Sequence, residues 1–355
     1  MPAISRICIV SDDLAGPPDE GVRKFTLAIA AALRRSHPVE LLTTQPVAGD
    51  ASIRAVPAPK TFLSRSLRNA LRRIEPDVLI YATHRSATFF SFIRARVLRA
   101  YCPSAFVVLL GLQTRQHPRW QQVLIRAIRP DLVVVQSDTN RAYLESIGCR
   151  TAVVRSGVDA ETFTPVDDAQ RAVLRQRYGI PVDRPVAIHV GHLQAGRGIG
   201  VLARLAKTGA CQVVLVASTS TSQEAAIRAE LEAAGVMILS DYLPRVEEVY
   251  QLADCYVFPV ETTDNAIEVP LSVLEALACD LPVVTTRFGG LPRMFGSHPH
   301  PGLIFVTTAD ELIAETVALC QQRVAGVRPL SLPYSWDAVA EGLVAEATAL
   351  RDRVA

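Results

Sequence analysis

Short apolar runs, rich in β-branched residues, alternate with helix-length amphipathic segments along the whole of this 355-residue chain. The runs Asp77–Tyr81, Ala105–Leu110 and Leu132–Gln136 are almost continuously apolar and show no alternation of polar and apolar residues. Strands have this composition when helices cover both faces of a parallel sheet. The pattern therefore predicts an α/β fold with parallel sheets, in which ligands bind beyond the carboxyl ends of the strands.

The alternation occurs twice, with a turn-rich junction between the two series. Residues Arg155–Asp159 and Phe163–Pro165 close the first series, and a new strand is predicted at Pro185–Val190. This organisation predicts two doubly wound, Rossmann-like parallel-sheet domains that face a cleft. We place the N-terminal domain at residues 1–160 and the C-terminal domain at 161–335, and we expect the last helix, 336–355, to pack back on the first domain.

Charge is divided unevenly between the two halves of the chain. Residues 1–150 carry 21 Lys and Arg against 11 Asp and Glu, whereas residues 151–355 carry 16 against 24. Such a split predicts different partners for the two domains, and an anionic partner for the basic one. No RNA- or DNA-binding signature accompanies the basic half, so no nucleic acid is expected as a partner.

The cysteines and the apolar runs predict the compartment. Seven cysteines are scattered without CxxC or Cys/His spacing, which favours reduced thiols over a disulfide framework or a zinc site. No apolar run approaches the roughly 20 residues that a membrane helix needs. Acidic residues stand near the N-terminus where a secretory signal would continue, so no export segment is predicted. A cytoplasmic location is expected, and the basic half leaves peripheral contact with the inner membrane face open.

A glycine-rich loop follows the first strand of the second series. The predicted strand Val186–Val190 leads into Gly191–Gly198 and then into a helix. Glycines let the backbone approach a ligand closely, and a helix N-terminus offers N–H groups to a phosphate. His192 and Arg197 lie in this loop and add positive charge. The loop is interpreted as a phosphate site; a plain strand–helix turn with solvated side chains is the alternative.

A second motif surrounds Glu275. Pro270 is typical of the first turn of a helix, which places Glu275 about five residues into that helix. An ionised carboxylate there accepts two hydrogen bonds from a ribose diol. A lone glutamate is more often a solvated surface residue, but apolar residues flank Glu275 on both sides and favour an inward position.

Together these stretches resemble a retaining glycosyltransferase of the family 4 type, with the GT-B fold, among the glycosyl transferases group 1. The matching stretches occur in the expected order and span nearly the whole chain. They are Gly16–Gly21, Ser156–Asp159 with Phe163 and Pro165, Gly191–Gly198, and Pro270–Thr286 with Gly289 and Gly290.

The resemblance implies that the C-terminal domain binds a nucleotide-diphosphate sugar and that the N-terminal domain binds the acceptor. His192 and Arg197 occupy the positions of the basic pair that neutralises the diphosphate, and Arg197 is expected to act in catalysis. Glu275 matches the glutamate that holds the ribose. Segment Asp241–Val249 would line the base. The remaining donor-binding residues implied are Gly21, Gly191, Tyr242, Leu243, Leu271 and Ser272.

One of three departures from the family pattern concerns a catalytic position. The other two are Pro270, which removes a backbone donor from the loop that contacts the sugar and diphosphate, and Arg293, which stands where a glutamate is common. The first acidic residue of the Glu-x7-Glu signature falls on Ile267, and Glu268 stands one position later. A local shift of one residue assigns the role to Glu268; Asp264 and Glu261 are alternatives. The resemblance also implies a histidine at a strand end of the N-terminal domain, either His84 or His117.

The implied activity is retaining transfer from a UDP- or GDP-linked sugar to a lipid-linked, polysaccharide or small-molecule acceptor. The front-face mechanism of the family needs no side-chain nucleophile. No metal and no cofactor beyond the nucleotide-sugar co-substrate are implied. A non-catalytic GT-B protein that binds nucleotide sugars, and a GT-B nucleotide-sugar epimerase, stay as alternatives.

The basic half has its own pattern between Arg54 and Arg129, with 14 Lys and Arg but only two acidic residues. If Ser64–Glu75 is a helix, Leu63 belongs to an apolar stripe opposite a row of arginines. Segment Phe89–Arg99 then mixes three phenylalanines with three arginines. Aromatic and basic residues of this kind rest on an anionic bilayer, or the phenylalanines pack in the core and the arginines are solvated.

Overall fold

The computed structural model describes residues 4–17, 19–47, 50–83, 87–220, 223–262, 266–296, 300–322 and 324–354. The chain forms two compact units. The first comprises Met1–Ser156 together with Trp336–Ala355, and the second comprises Gly157–Ser335.

The first unit contains a seven-stranded parallel sheet in the order β3-β2-β1-β4-β5-β6-β7. Among the described residues, helices connect all successive strands of this sheet except β2 and β3, as in other doubly wound sheets. The strands are β1 Ile7–Ser11, β2 Val39–Thr43, β3 Arg54–Ala55, β4 Val78–Ala82, β5 Phe106–Leu110, β6 Leu132–Val135 and β7 Thr151–Val153. The helices are α1 Gly21–Leu33, α2 Arg65–Ile74, α3 Phe89–Tyr101, α4 Arg119–Ile128 and α5 Asp138–Ser146.

The second unit contains a six-stranded parallel sheet in the order β10-β9-β8-β11-β12-β13. Its strands are β8 Val186–Gly191, β9 Gln212–Ala217, β10 Met237–Leu239, β11 Cys255–Phe258, β12 Val283–Thr286 and β13 Leu303–Val306. Its helices are α6 Asp168–Arg177, α7 Gly200–Lys207, α8 Ala225–Ala233, α9 Glu247–Gln251, α10 Leu271–Ala278, α11 Leu291–Phe295 and α12 Ala309–Gln322. The predicted α/β class with two Rossmann-like parallel-sheet units is confirmed.

The apolar runs of the sequence form the central strands of both sheets. All five residues of β4 and all five of β5 are buried, because the helices cover both faces of the first sheet. The last helix, α13 Trp336–Val354, returns to the first unit and packs on α1. Phe25 of α1 meets Trp336 edge to face, with ring centroids 5.3 Å apart.

Local sequence signals explain where the helices begin. Ser64 caps α2 by accepting a hydrogen bond from the amide of Leu67, and Glu20 caps α1 in the same way through Arg23. Pro270 lies just before α10, since its fixed φ suits a helix start and it has no N–H to satisfy. Within the described residues, no helix is both long enough and apolar enough to cross a membrane.

Candidate functional site

The glycine-rich loop of the second unit begins at the carboxyl end of β8, where a doubly wound sheet binds its ligands. It continues through a short 3₁₀ turn, Ala195–Arg197, to Gly198 and then to α7. Gly198 has φ +69°, and a Cβ atom there would lie 2.6 Å from the carbonyl oxygen of Pro259. Only glycine allows the loop to lie this close to the end of β11.

Arg197 is the buried cation of this loop, whereas His192 is half-buried. The guanidinium acts electrostatically on two buried rings, since it lowers the pKa of both His189 and Tyr256. Nδ1 of His189 donates a 2.8 Å hydrogen bond to the carbonyl oxygen of Val257. Burial, more than Arg197, lowers the pKa of His189 to about 4, so this imidazole is neutral at physiological pH.

Glu275 points into the protein from α10 and is 4% exposed. Its Oε2 accepts a 2.9 Å hydrogen bond from the hydroxyl of Tyr250. Burial and then the neighbouring Glu275 raise the pKa of Tyr250, so its hydroxyl keeps its proton and stays a donor. Glu275 is therefore not the solvated surface residue of the alternative interpretation.

Tyr256 connects several of the predicted donor-binding residues. Burial raises the pKa of Tyr256 most strongly, and the charge of Glu275 raises it further. A hydrogen bond with Ser272 and the charge of Arg197 lower the pKa. The tyrosine hydroxyl also lies 3.4 Å from the carbonyl oxygen of Val190, the residue before Gly191. Arg197, Ser272 and Glu275 thus all influence one buried phenol, whose hydroxyl lies near the carboxyl end of β8. Sequence reasoning did not single out Tyr256, because it reads as an ordinary residue of a buried strand.

Glu268 and Ile267, the two residues at the departure from the family pattern, are both buried. The carbonyl of Glu268 accepts a 2.9 Å hydrogen bond from the amide of Gly290. Gly289 has φ +50° and lies against the backbone of Glu268, where a Cβ would overlap it. The glycine pair therefore fixes the backbone at Glu268. Asp264, the alternative to Glu268, lies outside the described residues.

The other predicted donor residues of the second unit differ in their exposure. Tyr242 is exposed, whereas Leu243 is half-buried and packs against the apolar core of the second unit. Leu271 is buried in the first turn of α10. The predicted role of these three residues in contacting the donor stays a prediction.

Gly21 belongs to the first unit, where it is the first residue of α1 and follows the loop after β1. The loop glycine that needs its conformational freedom is Gly16, at φ +85°. Buried Arg23 donates a 2.7 Å hydrogen bond from Nη1 to the carbonyl of Pro17, next to Gly16. Arg23 therefore holds the shape of this loop, a role that sequence reasoning missed.

His117 follows β5 in the first unit and is buried. Its ring stacks on Tyr143, with centroids 6.4 Å apart, and meets Phe92 edge to face. Nδ1 lies 3.1 Å from Oε1 of Gln121. Burial lowers the pKa of this imidazole, which favours its neutral form. His84, the other histidine predicted for this role, lies outside the described residues.

The first sheet also carries a charged cluster at the carboxyl end of its central strands. Asp12 follows β1, and its carboxylate accepts hydrogen bonds of 3.0 and 3.1 Å from the hydroxyl of Tyr81 in β4. Arg94 of α3 lies 3.2 Å from Asp12 and donates a 3.0 Å hydrogen bond to the Tyr81 hydroxyl. Asp12 is therefore part of a charged cluster, whereas its neighbour Asp13 stabilises a turn by accepting a hydrogen bond from the amide of Ala15.

Comparison with known structures places these units in a class. The chain matches the Anabaena protein HepE, solved with UDP-glucose, at a TM-score of 0.72 and 15% identity, over 97% of this chain and 99% of that one. It matches sucrose-phosphate synthase of Thermosynechococcus elongatus at a TM-score of 0.71 and 19% identity, over 98% and 100% of the two chains. The protein has the GT-B fold.

The family follows from sequence comparison. Residues 184–322, within the second unit, match the family model "Glycosyl transferases group 1", so the chain carries a domain of that group. The resemblance predicted from the motifs is confirmed at this level; the family 4 type and the retaining stereochemistry stay predictions.

Two curated relatives extend the comparison. D-inositol 3-phosphate glycosyltransferase of Geodermatophilus obscurus is 32% identical over 66% of this chain and 55% of its own length. Alpha-maltose-1-phosphate synthase of Mycolicibacterium smegmatis is 24% identical over 58% of this chain and 59% of its own length. The chain thus spans little more than half the length of these relatives.

Proposed function

We propose that this chain is a retaining glycosyltransferase that transfers a sugar from a UDP-linked donor to a phosphate-bearing acceptor. The observation that carries the proposal is the influence of Arg197, Ser272 and Glu275 on Tyr256, whose hydroxyl lies near the carboxyl end of β8. A group 1 family match over the same unit supports it. The non-catalytic and epimerase alternatives are not favoured by the relatives, which are named as transferases or synthases.

Each side chain has a task that its chemistry fits. Glu275 is held in place by Tyr250 and would accept hydrogen bonds from the ribose diol of the donor. Arg197, together with His192, would neutralise the negative charge that develops on the departing diphosphate. Glu268, whose backbone is fixed by the glycine pair, is the carboxylate proposed to contact the sugar.

The choice of UDP rests on the structural neighbour HepE, which was solved with UDP-glucose. The choice of a phosphate-bearing acceptor rests on the names of the relatives, which include inositol 3-phosphate and maltose-1-phosphate. The excess of basic residues in the first 150 residues of this chain fits an anionic acceptor on that unit. No metal is assigned a role, so transfer is expected to persist in the presence of EDTA.

Calorimetric titration with UDP, GDP and ADP tests the donor site. UDP is expected to bind most tightly, and Glu275→Gln is expected to weaken its binding at least tenfold, because a neutral amide is a poorer acceptor for two hydroxyls. Glu230→Gln, which neutralises an exposed carboxylate of α8 in the same unit, is the matched control. Tyr250→Phe removes the hydrogen bond between Tyr250 and Glu275 but keeps the carboxylate of Glu275. This variant should therefore retain most of its affinity for UDP.

Two results would overturn the assignment. Equal UDP affinity in Glu275→Gln and the wild type would remove the ribose role from Glu275. Tight UDP binding without release of sugar from any UDP-sugar, with phosphorylated cyclitols or hexoses as acceptors, would favour the non-catalytic alternative. Product stereochemistry, read by proton NMR at the anomeric carbon, decides between retention and inversion.

A further inference from the structure

Helix α4 of the first unit is apolar on both of its sides. Ile125 is fully buried against the core, and Ile128 packs against the same cluster. Trp120, Val123 and Leu124 are instead 59%, 71% and 45% exposed. Their spacing of three and four residues places them on one face of the helix. A helix at the surface of a globular protein ordinarily carries polar residues on its outer face, so this face calls for a partner.

Helix α3 extends the exposed apolar face. Phe89 meets Trp120 edge to face with ring centroids 5.6 Å apart, and it meets Phe90 at 6.1 Å. Phe90 is 65% exposed. The N-terminal ends of α3 and α4 therefore present large side chains side by side. We call Phe90, Trp120, Val123 and Leu124 the α4 surface.

The charged residues of α4 itself are all positive. Arg119 and Arg126 lie on α4, and Arg129 follows its last turn; α4 itself has no acidic residue. Within the described part of the chain, none of these three arginines forms an ion pair with a carboxylate. Helix α2, which packs on α3, exposes Arg65, Arg68 and Arg72, also without ion pairs among the described residues.

This charge pattern argues against a second copy of the chain as the occupant. A two-fold contact brings the same patch of both copies together. It would place the arginines of α4 against those of the other copy, and α4 has no carboxylate of its own to offset them, which is unfavourable. A flat surface that carries anionic groups over an apolar layer neutralises the arginines and buries the apolar side chains at the same time.

We propose that the α4 surface docks on a lipid bilayer that carries anionic headgroups. Trp120 and Phe90 enter the boundary between headgroups and acyl chains, where amphipathic aromatic rings are favoured. Arg119, Arg126 and the arginines of α2 contact the lipid phosphates. The proposal does not depend on the transferase activity, since it concerns a surface of the first unit alone.

The structure divides the phenylalanines of this region between core and surface. Phe92 is buried in the core, whereas Phe90 is exposed, so packing in the core accounts for Phe92 but not for Phe90. Leu63 was expected in the buried stripe of α2 but is exposed, because it precedes the helix and its cap, Ser64. The exposed apolar residues of α4 were not anticipated, because their spacing reads equally well as a core-facing stripe.

Tryptophan fluorescence on vesicles tests the proposal directly. The chain has two tryptophans, so Trp336→Phe leaves Trp120 as the only one. With vesicles containing phosphatidylglycerol, emission from Trp120 is expected to shift to shorter wavelength and to be quenched by lipids brominated on the acyl chains. Vesicles of phosphatidylcholine alone should produce a much smaller response. An unchanged spectrum with the anionic vesicles would overturn the proposal.

Vesicle co-sedimentation separates the contribution of the apolar side chains to vesicle binding from that of the arginines. Val123→Ser/Leu124→Ser should reduce binding at least tenfold, and Arg119→Gln/Arg126→Gln by about thirtyfold, roughly fivefold for each arginine. The matched controls are Val173→Ser/Val182→Ser and Arg184→Gln/Lys207→Gln, which alter exposed residues of the second unit. Equal losses in the controls, or a monomer produced from a dimer by the α4 changes, would refute docking on a bilayer.

Discussion

Replacing Gly198 by alanine tests what holds the glycine-rich loop against the sheet. The change brings two costs that the structure separates. The residue has φ +69°, a left-handed conformation that costs a non-glycine residue about 1–2 kcal/mol. The added Cβ would also lie 2.6 Å from the carbonyl oxygen of Pro259, a backbone atom that cannot rotate away. Such overpacking costs about 1–3 kcal/mol, so the total is about 2–5 kcal/mol.

Two other glycines of the same unit serve as matched controls. Gly179 has φ +67° but nothing within 4 Å of an added Cβ, so alanine there carries only the conformational cost. Gly200 opens α7 with no such constraint on φ and no neighbour within 4 Å. Gly200→Ala should be neutral or stabilise by about 0.5–1 kcal/mol, because alanine loses less backbone entropy in a helix.

Urea unfolding of the three variants, followed by circular dichroism, gives the order of stability. Gly198→Ala should have the lowest midpoint, Gly179→Ala an intermediate one, and Gly200→Ala a midpoint at or above that of the wild type. Gly198→Ala should also weaken UDP binding, because displacement of the loop moves Arg197. If Gly198→Ala is no less stable than Gly179→Ala, close contact with Pro259 does not fix the loop.

Three further predictions concern buried groups of the second unit. Tyr250→Phe removes the hydrogen bond to Glu275 and should destabilise the unit by about 1.5–3 kcal/mol in urea unfolding, as expected for a bond to a carboxylate. Asp254→Asn breaks the 2.6 Å buried ion pair with Arg175 and should cost about 3–5 kcal/mol by the same measurement; a loss below 1 kcal/mol would contradict burial of the pair. His189 has a pKa of about 4 in the folded protein against 6.5 unfolded, so the unfolded state binds the extra proton and stability falls as pH drops from about 6.5 to 4. His189→Asn should flatten that pH dependence, and an unchanged slope would show that other groups cause it.

The sequence predicted the architecture well because buried parallel strands have a direct signature. The apolar runs predict eleven strands, and each has a counterpart in the two sheets. The predicted strands are Ser5–Val10, Val39–Thr43, Asp77–Tyr81, Ala105–Leu110, Leu132–Gln136, Ala152–Arg155, Pro185–Val190, Cys211–Ala217, Val236–Leu239, Cys255–Pro259 and Pro282–Thr285. Two strands of the structure were not predicted, for different reasons. Arg54–Ala55 is only two residues long and exposed, so it carries no apolar signal. Leu303–Val306 is an apolar run that could have been recognised, but it is only four residues long.

The candidate site was predictable only in part. Arg197 could be selected because it lies in a glycine-rich loop. Glu275 could be selected because a helix start, marked by Pro270, precedes it in the sequence. Tyr250 and Tyr256 could not, because they act through contacts made after folding, and their sequence context is that of ordinary core residues. The cluster of Asp12, Tyr81 and Arg94 was missed for the same reason, since its members are far apart in sequence.

The return of α13 to the first unit has a consequence for synthesis of the chain. Domains that are continuous in sequence can fold in the order in which they are made. Here Phe25 cannot contact Trp336 until α13 has been synthesised, and the whole of the second unit is synthesised between these two residues. The second unit is continuous and can therefore finish folding first, while the apolar side of α1 stays without its final cover. The synthesis of α13, and not the completion of the first sheet, thus sets the moment at which the N-terminal half acquires its native surface.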